Sequence, residues 1–288
     1  MRGPTILAVV TDSVKSIGNR IICTMLQNTQ QPLTIYMTGP SYSREKYDVT
    51  FKQDRATVMA LRRTGSEVKF AELDLEYSGS IKAFRDHLLD TYGASHGARP
   101  LSILINSPAA IFKDAKKSVD RTYFGSKNLT RLLLPIMKRT GDSRIVNVSI
   151  PGGQARSLIP NEDLADQFSF ENLTEKNLDN LMRKYQEDAA SGKQVEEGWS
   201  RPSGPNGPSV NSYNIPRIAL AAHAFVLAKE NPGFLINASG GDSWRYGIER
   251  YRGALTPTLL ALGDLGGATG GFWIGGQRID WEAVQRRL

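Results

Sequence analysis

The feature that most limits what this chain can fold into is a regular alternation of short, β-branched apolar runs with stretches of helical periodicity. Residues 5–10 form such a run, residues 11–18 a polar turn, and residues 19–26 the first helical stretch. Further strands are predicted at 33–38, 67–73, 101–106, 144–149, 234–238 and 271–274, and helices at 53–64, 80–92, 120–138, 218–229 and 256–262. Strands joined by helices of this length pair in parallel through right-handed crossovers, and the helices cover both faces of the sheet. The predicted fold is therefore α/β, a doubly wound parallel sheet whose ligand crevice lies beyond the carboxyl ends of the strands.

One domain (1–288) accounts for the chain, with a helical insertion at 151–210 where the alternation breaks. There an acidic turn, NEDLAD, precedes an amphipathic helix at 174–190 and a Gly/Pro-rich stretch, RPSGPNGP. Because the insertion leaves the sheet at a strand's carboxyl end, part of it is expected to roof the pocket. The single cysteine, Cys23, excludes an internal disulfide and a thiolate metal site. His87, His96 and His223 have no metal-ligand spacing, so no metal is expected. Lys+Arg 36 against Asp+Glu 29 gives a net charge of +7. With no dense basic cluster to suggest nucleic acid, a phosphorylated cofactor is the expected anionic partner. The apolar run near the first residue is too short for a signal peptide or membrane span, so a cytoplasmic protein without membrane contact is expected.

Five motifs sit at strand ends or at a helix start: TDSVKSIG (11–18), LDL (73–75), INSPA (105–109), RIVNVSI (144–150) and SYNIPR (212–217). Together with LTEKNLDNLMRKYQED and EEGW in the insertion, they resemble the short-chain dehydrogenase/reductase superfamily, most closely its carbonyl-reductase branch, over nearly the whole chain. The resemblance implies a Rossmann fold with a nicotinamide dinucleotide and a small-molecule substrate. It places Thr11, Ser13, Lys15, Ser16, Ile17 and Gly18 at the pyrophosphate, Asp74 and Leu75 at the adenine, Asn106 and Ser107 beside the fourth strand's turn, and Arg217 at the nicotinamide ribose. No acid closes the second strand, whereas Lys15, Ser41 and Arg44 can pair with a 2′-phosphate, so NADPH/NADP+ is favoured over NADH. The branch's extra segment covers a helical face through which other members associate. The oligomeric state stays open, with a monomer favoured.

The departures from that family are as informative. Asp12 and Ser16 replace two loop glycines and leave only Gly18, and a carboxylate at Asp12 repels a pyrophosphate unless it turns away. Ile150 stands at the serine position next to Ser149, Thr122 replaces the helix asparagine, and Arg217 replaces the lysine. An arginine stays protonated and relays no proton. Pro216 suits the first turn of a helix, so Tyr213 is expected to precede that helix and need not share a face with Arg217.

A reductase stripped of its proton donor can still pass hydride to an iminium ion, because C=N+ becomes a neutral amine without a proton. Here the chain resembles the fungal reductase/Diels-Alderases of bridged diazaoctane indole alkaloid pathways. That resemblance implies reduction of a prenylated, indole dipeptide-derived iminium and then a stereocontrolled intramolecular Diels-Alder reaction. It also implies catalytic roles for Asp166, pairing with the cation, and Arg131, orienting it or the cofactor. By spacing alone, Glu162, Asp163 and Asp166 read equally as loop acids and Arg131 as a surface residue. Trp199, Trp244 and Tyr246 are candidate aromatic walls. Two alternatives stand beside this reading: a ketone or aldehyde reductase using Tyr213 with Arg217, and a catalytically silent NADPH-binding module.

Overall fold

The computed structural model describes residues 5–14, 17–41, 55–96, 99–108, 114–150, 155–170, 172–204, 207–240 and 252–281. The first half runs β1 (Ile6–Val10), α1 (Ile17–Asn28), β2 (Leu33–Gly39), α2 (Arg55–Thr64), β3 (Glu67–Glu72), α3 (Ser78–His96) and β4 (Ile103–Asn106). α4 (Ala115–Val119) continues through a π-helical turn (Asp120–Gly125) into α5 (Ser126–Leu133), then β5 (Arg144–Ser149). The insertion contributes α6 (Ala155–Leu158), α7 (Glu162–Asp166) and α8 (Glu175–Ala190). The chain then forms α9 (Pro208–Glu230), β6 (Leu235–Gly240), α10 (Leu255–Leu262), β7 (Gly271–Ile274) and β8 (Gln277–Ile279).

The strands form one sheet in the order β3-β2-β1-β4-β5-β6-β7-β8. All neighbours are parallel except β7 and β8, which are antiparallel. β2 is buried along its whole length and β1 along all but its first residue, as a sheet sandwiched between helix layers requires. One apolar cluster joins Leu7, Val9 and Leu104 to Phe84, Leu129, Met182 and Phe225; a second joins Ala8, Val10 and Ile105 to Ile22, Met25 and Leu260. Alternate residues of the same strands point into opposite clusters, which is the doubly wound arrangement expected from the sequence.

Three expectations need correction. The predicted helix at 120–138 starts earlier, at Ala115, where Asp114 accepts from Lys117 N at 2.9 Å. Its α-helical part stops at Leu133, ahead of Pro135, which cannot continue the ladder. β8 was not predicted because it is three residues long and largely polar; Gly275 and Gly276, both at positive φ, fold it back on β7. α9 begins at Pro208, not after Pro216, so Pro208 is the first-turn proline and Pro216 lies inside the helix. α9 is buried on nearly all sides, and that packing outweighs the roughly 3 kcal/mol an interior proline costs. Within the insertion, the buried face of α8, Leu178, Leu181, Met182 and Tyr185, packs on α4 and α9.

Candidate active site

In the observed strand order the direction of winding reverses between β1 and β4, and their carboxyl ends open a crevice there. The turn after β1 is drawn into it. Thr11 N donates to Ile105 O at 3.0 Å, and Thr11 Oγ1 accepts from Ser107 N at 2.9 Å. Ser13 N donates to Thr38 O at 2.9 Å, while Ser13 Oγ donates to Val10 O at 2.7 Å and accepts from Thr38 N at 3.1 Å. Both donors of Ser13 are thus used within the protein, as a buried hydroxyl bonds the nearest backbone. The Asn106 side chain is likewise engaged within the protein. Its Nδ2 donates to Thr130 Oγ1 at 3.0 Å and Asn147 Oδ1 at 2.8 Å, and Asn147 Nδ2 donates to Leu220 O at 2.8 Å, so the chain of amides ties β4 and β5 to α9.

A dinucleotide fits what remains. Gly18 lies in the first turn of α1, where a Cβ would stand 2.8 Å from Ser13 Cβ and 3.2 Å from Ser107 Oγ, so only glycine brings the helix end this close. The Ser107 hydroxyl is buried and has no partner among the described residues, as expected of a donor kept for a ligand. Ile17 opens α1, and Ser41 is exposed just beyond β2. Lys15, Ser16 and Arg44 lie outside the described residues. In the loop after β3, Asp74 Oδ1 accepts from Glu76 N at 3.0 Å and Asp74 N donates to Ser80 Oγ at 2.9 Å. Leu75 is pressed by Gly125, where a Cβ would stand 2.4 Å from Leu75 O.

Asp12 is paired within the protein. It is the one non-glycine residue at positive φ (47°) among those described, and both carboxylate oxygens are bound by Arg121: Nε to Oδ2 at 3.0 Å and Nη2 to Oδ1 at 2.5 Å. Arg121 Nη1 also reaches Glu76 Oε1 at 3.2 Å. Burial works against the Arg121 charge, but the hydrogen bond and charge of Asp12 outweigh it and raise the guanidinium pKa. The sequence reading missed Arg121. A carboxylate in a glycine's place signals that some cation must be near, but spacing cannot single out a partner 109 positions away.

On the β5 side, Tyr213 lies inside α9, contrary to expectation, one turn from Arg217 and on the same face. Arg217 Cζ stands 3.8 Å from the Tyr213 ring centre, and Nη2 donates to Pro108 O at 2.6 Å. Burial lowers the Arg217 pKa, though an arginine starts so high that it stays charged. Ile150 is buried at the end of β5, and Ser149 Oγ donates to Arg217 O at 2.9 Å, so neither residue supplies a hydroxyl to the crevice. The Thr122 hydroxyl is buried with no partner among the described residues.

Asp166 ends α7 half-buried, its carbonyl accepting from Ser169 N at 3.0 Å and Asn172 Nδ2 at 2.9 Å. Arg131 does not join it. Its side chain is 59% exposed and its guanidinium pairs with Glu175 at the start of α8. A hydrogen bond from His223 and the charges of Lys127 and Arg131, opposed by burial, bring Glu175 down to a pKa of about 2 and make it the local sink for cations. Glu162 and Asp163 are exposed in the first turn of α7. Trp199 is fully buried, with Nε1 donating to Asp188 Oδ2 at 2.7 Å and its ring edge-on to Tyr185, so it is core and not a pocket wall. Trp244 and Tyr246 lie outside the described residues. Among those described, no cluster of His, Cys, Asp or Glu is placed to hold a metal, and no helix is long and apolar enough to cross a membrane.

Known proteins share this fold. No family model matches the chain. Carbonyl reductase (NADPH) 3 of Homo sapiens is 32% identical over 235 residues, covering 72% of this chain and 77% of the relative. Carbonyl reductase (NADPH) 1 of Rattus norvegicus is 28% identical over 280 residues, covering 89% and 90%. Among solved structures, the menthone neomenthol reductase of Mentha piperita superposes with a TM-score of 0.75 at 24% identity, covering 95% of this chain and 99% of its own. Salutaridine reductase of Papaver somniferum gives a TM-score of 0.72 at 21% identity, covering 93% and 99%. With its sheet order, its crevice between β1 and β4 and these relatives, the chain belongs to the short-chain dehydrogenase/reductase superfamily, among its carbonyl-reductase-like members.

Proposed function

We propose that the protein is an NADPH-dependent reductase whose hydride acceptor is a cyclic iminium ion. The relatives' names support the cofactor and the reductase class. The observation behind the choice of acceptor is the end of β5: Ile150 stands where a carbonyl-polarising hydroxyl is needed, Ser149 is bonded to α9, and Arg217 relays no proton. NADPH supplies the hydride. Gly18 and the first turn of α1 receive the pyrophosphate, Ser107 offers its hydroxyl, and Arg217, held by Pro108 and Tyr213, anchors the nicotinamide ribose. Asp166, as a carboxylate, pairs with the substrate cation; its half-buried place at the end of α7, downstream of β5, supports this role.

The further step, a stereocontrolled intramolecular Diels-Alder reaction, needs no bond to a side chain, only a pocket that selects one substrate conformer. It rests on the resemblance to the fungal reductase/Diels-Alderases. The test is NADPH oxidation with a panel of cyclic iminiums and of ketones, with chiral analysis of the products of a diene-bearing iminium. Turnover of iminiums only, abolished in Asp166→Asn with folding and NADPH binding intact, is expected. A racemic adduct removes the cycloaddition, and unchanged turnover in Asp166→Asn removes that residue's role. The second reading, a ketone or aldehyde reductase, is favoured by the stacking of Tyr213 on Arg217 along one helix face. Turnover of ketones but not iminiums selects it.

A further inference from the structure

We infer that Arg121 is a positioning residue that makes the Asp12 loop able to accept a dinucleotide, acting through Asp12 and not by touching the cofactor. The inference rests on the NADPH reading. Asp12 occupies the place of the first loop glycine, beside the first turn of α1, where a pyrophosphate would meet an unpaired carboxylate. The positive φ of Asp12 and the two bonds from Arg121 hold that carboxylate against the helix after β4. Only 3% of the Asp12 side chain and 9% of the Arg121 side chain remain open. The same guanidinium reaches Glu76 at 3.2 Å and feels the charge of Asp74, so it gathers the acids of both loops expected to line the dinucleotide.

Arg121 sits in the π-helical turn, and Gly125, at the end of that turn, seats against Leu75. This one turn of helix therefore contacts the loop after β1 by charge and the loop after β3 by both charge and close packing. A π turn shifts side chains relative to an α-helical ladder and recurs where a function fixes a side chain's direction. In this chain, neutralisation by Arg121 replaces the missing glycine.

The test is the dissociation constant for NADP+ by titration calorimetry, with melting temperatures, for the wild type, Arg121→Gln, Asp12→Asn and the double variant. Arg121→Gln leaves an uncompensated carboxylate beside the pyrophosphate and should weaken binding about thirtyfold or more, whereas Asp12→Asn should bind at least as tightly as wild type. In the double variant the ion pair is still absent but the anion is gone, so affinity should return to within about threefold of wild type. A double variant as weak as Arg121→Gln assigns the pair a merely structural role and overturns the inference. If Arg121→Gln does not fold, Asp12→Asn decides, and weakened binding there overturns it. Absence of NADP+ binding by the wild type overturns the cofactor reading along with it; a flat cycle on a binding wild type overturns this inference alone.

Discussion

The Arg217 guanidinium carbon lies over the Tyr213 ring, 3.8 Å from its centre, one helical turn along α9. This stacking places a fixed cation where the family's lysine stands and turns the tyrosine into its support. If the tyrosine serves as a platform and not as an acid, Tyr213→Phe keeps the stack and should leave iminium turnover within about twofold, measured as steady-state NADPH oxidation. Arg217→Met removes the cation and leaves Pro108 O unpaired. It should weaken NADP+ binding at least about tenfold and lower stability by roughly 1–3 kcal/mol, read by calorimetry and urea denaturation.

Restoring the missing hydroxyl tests the acceptor from the other side. Ile150→Ser combined with Arg217→Lys should raise ketone turnover about tenfold or more over the wild type, since general acid catalysis commonly contributes at least that much. The exchange should cost about 2–4 kcal/mol of stability, because a packed isoleucine is lost. Ketone turnover that does not rise would show that the acid relay is not what the wild type lacks.

Glu175 should control acid stability. Its folded pKa of about 2, held down first by the hydrogen bond with His223 and then by Lys127 and Arg131, lies below its ordinary 4.5. The ionised form is thus favoured in the folded protein, and the stabilisation is complete above about pH 4.5 and lost as pH falls toward about 2. Glu175→Gln should be less stable than wild type by about 2–3 kcal/mol at pH 7, with the gap closing through that acid window. A gap that stays constant down to pH 2 by denaturant titration would contradict it.

Two glycines give opposite expectations. A Cβ at Gly125 would press on the Leu75 backbone, so Gly125→Ala should destabilise by about 1–3 kcal/mol and weaken NADP+ binding by displacing the Asp74–Leu75 loop. Gly93 lies within α3 with nothing within 4 Å of its Cβ position, so Gly93→Ala should stabilise by about 0.5–1 kcal/mol with binding unchanged. Both are read from urea denaturation.

The sequence by itself determined the sheet and its crevice, because strand and helix periodicities are local and the winding rules then leave few topologies. The run 144–149 was legible as β5 to the residue, and the losses at Asp12, Ile150 and Arg217 were visible as departures from a motif. Only the tertiary structure decided which departures matter. Asp12 is neutralised by Arg121 from 109 positions away, Arg131 is captured by Glu175, and Pro216 is carried inside α9 by burial on nearly all sides. Each of these outcomes depends on a partner distant along the chain or on packing summed over many neighbours, and spacing along the chain encodes neither.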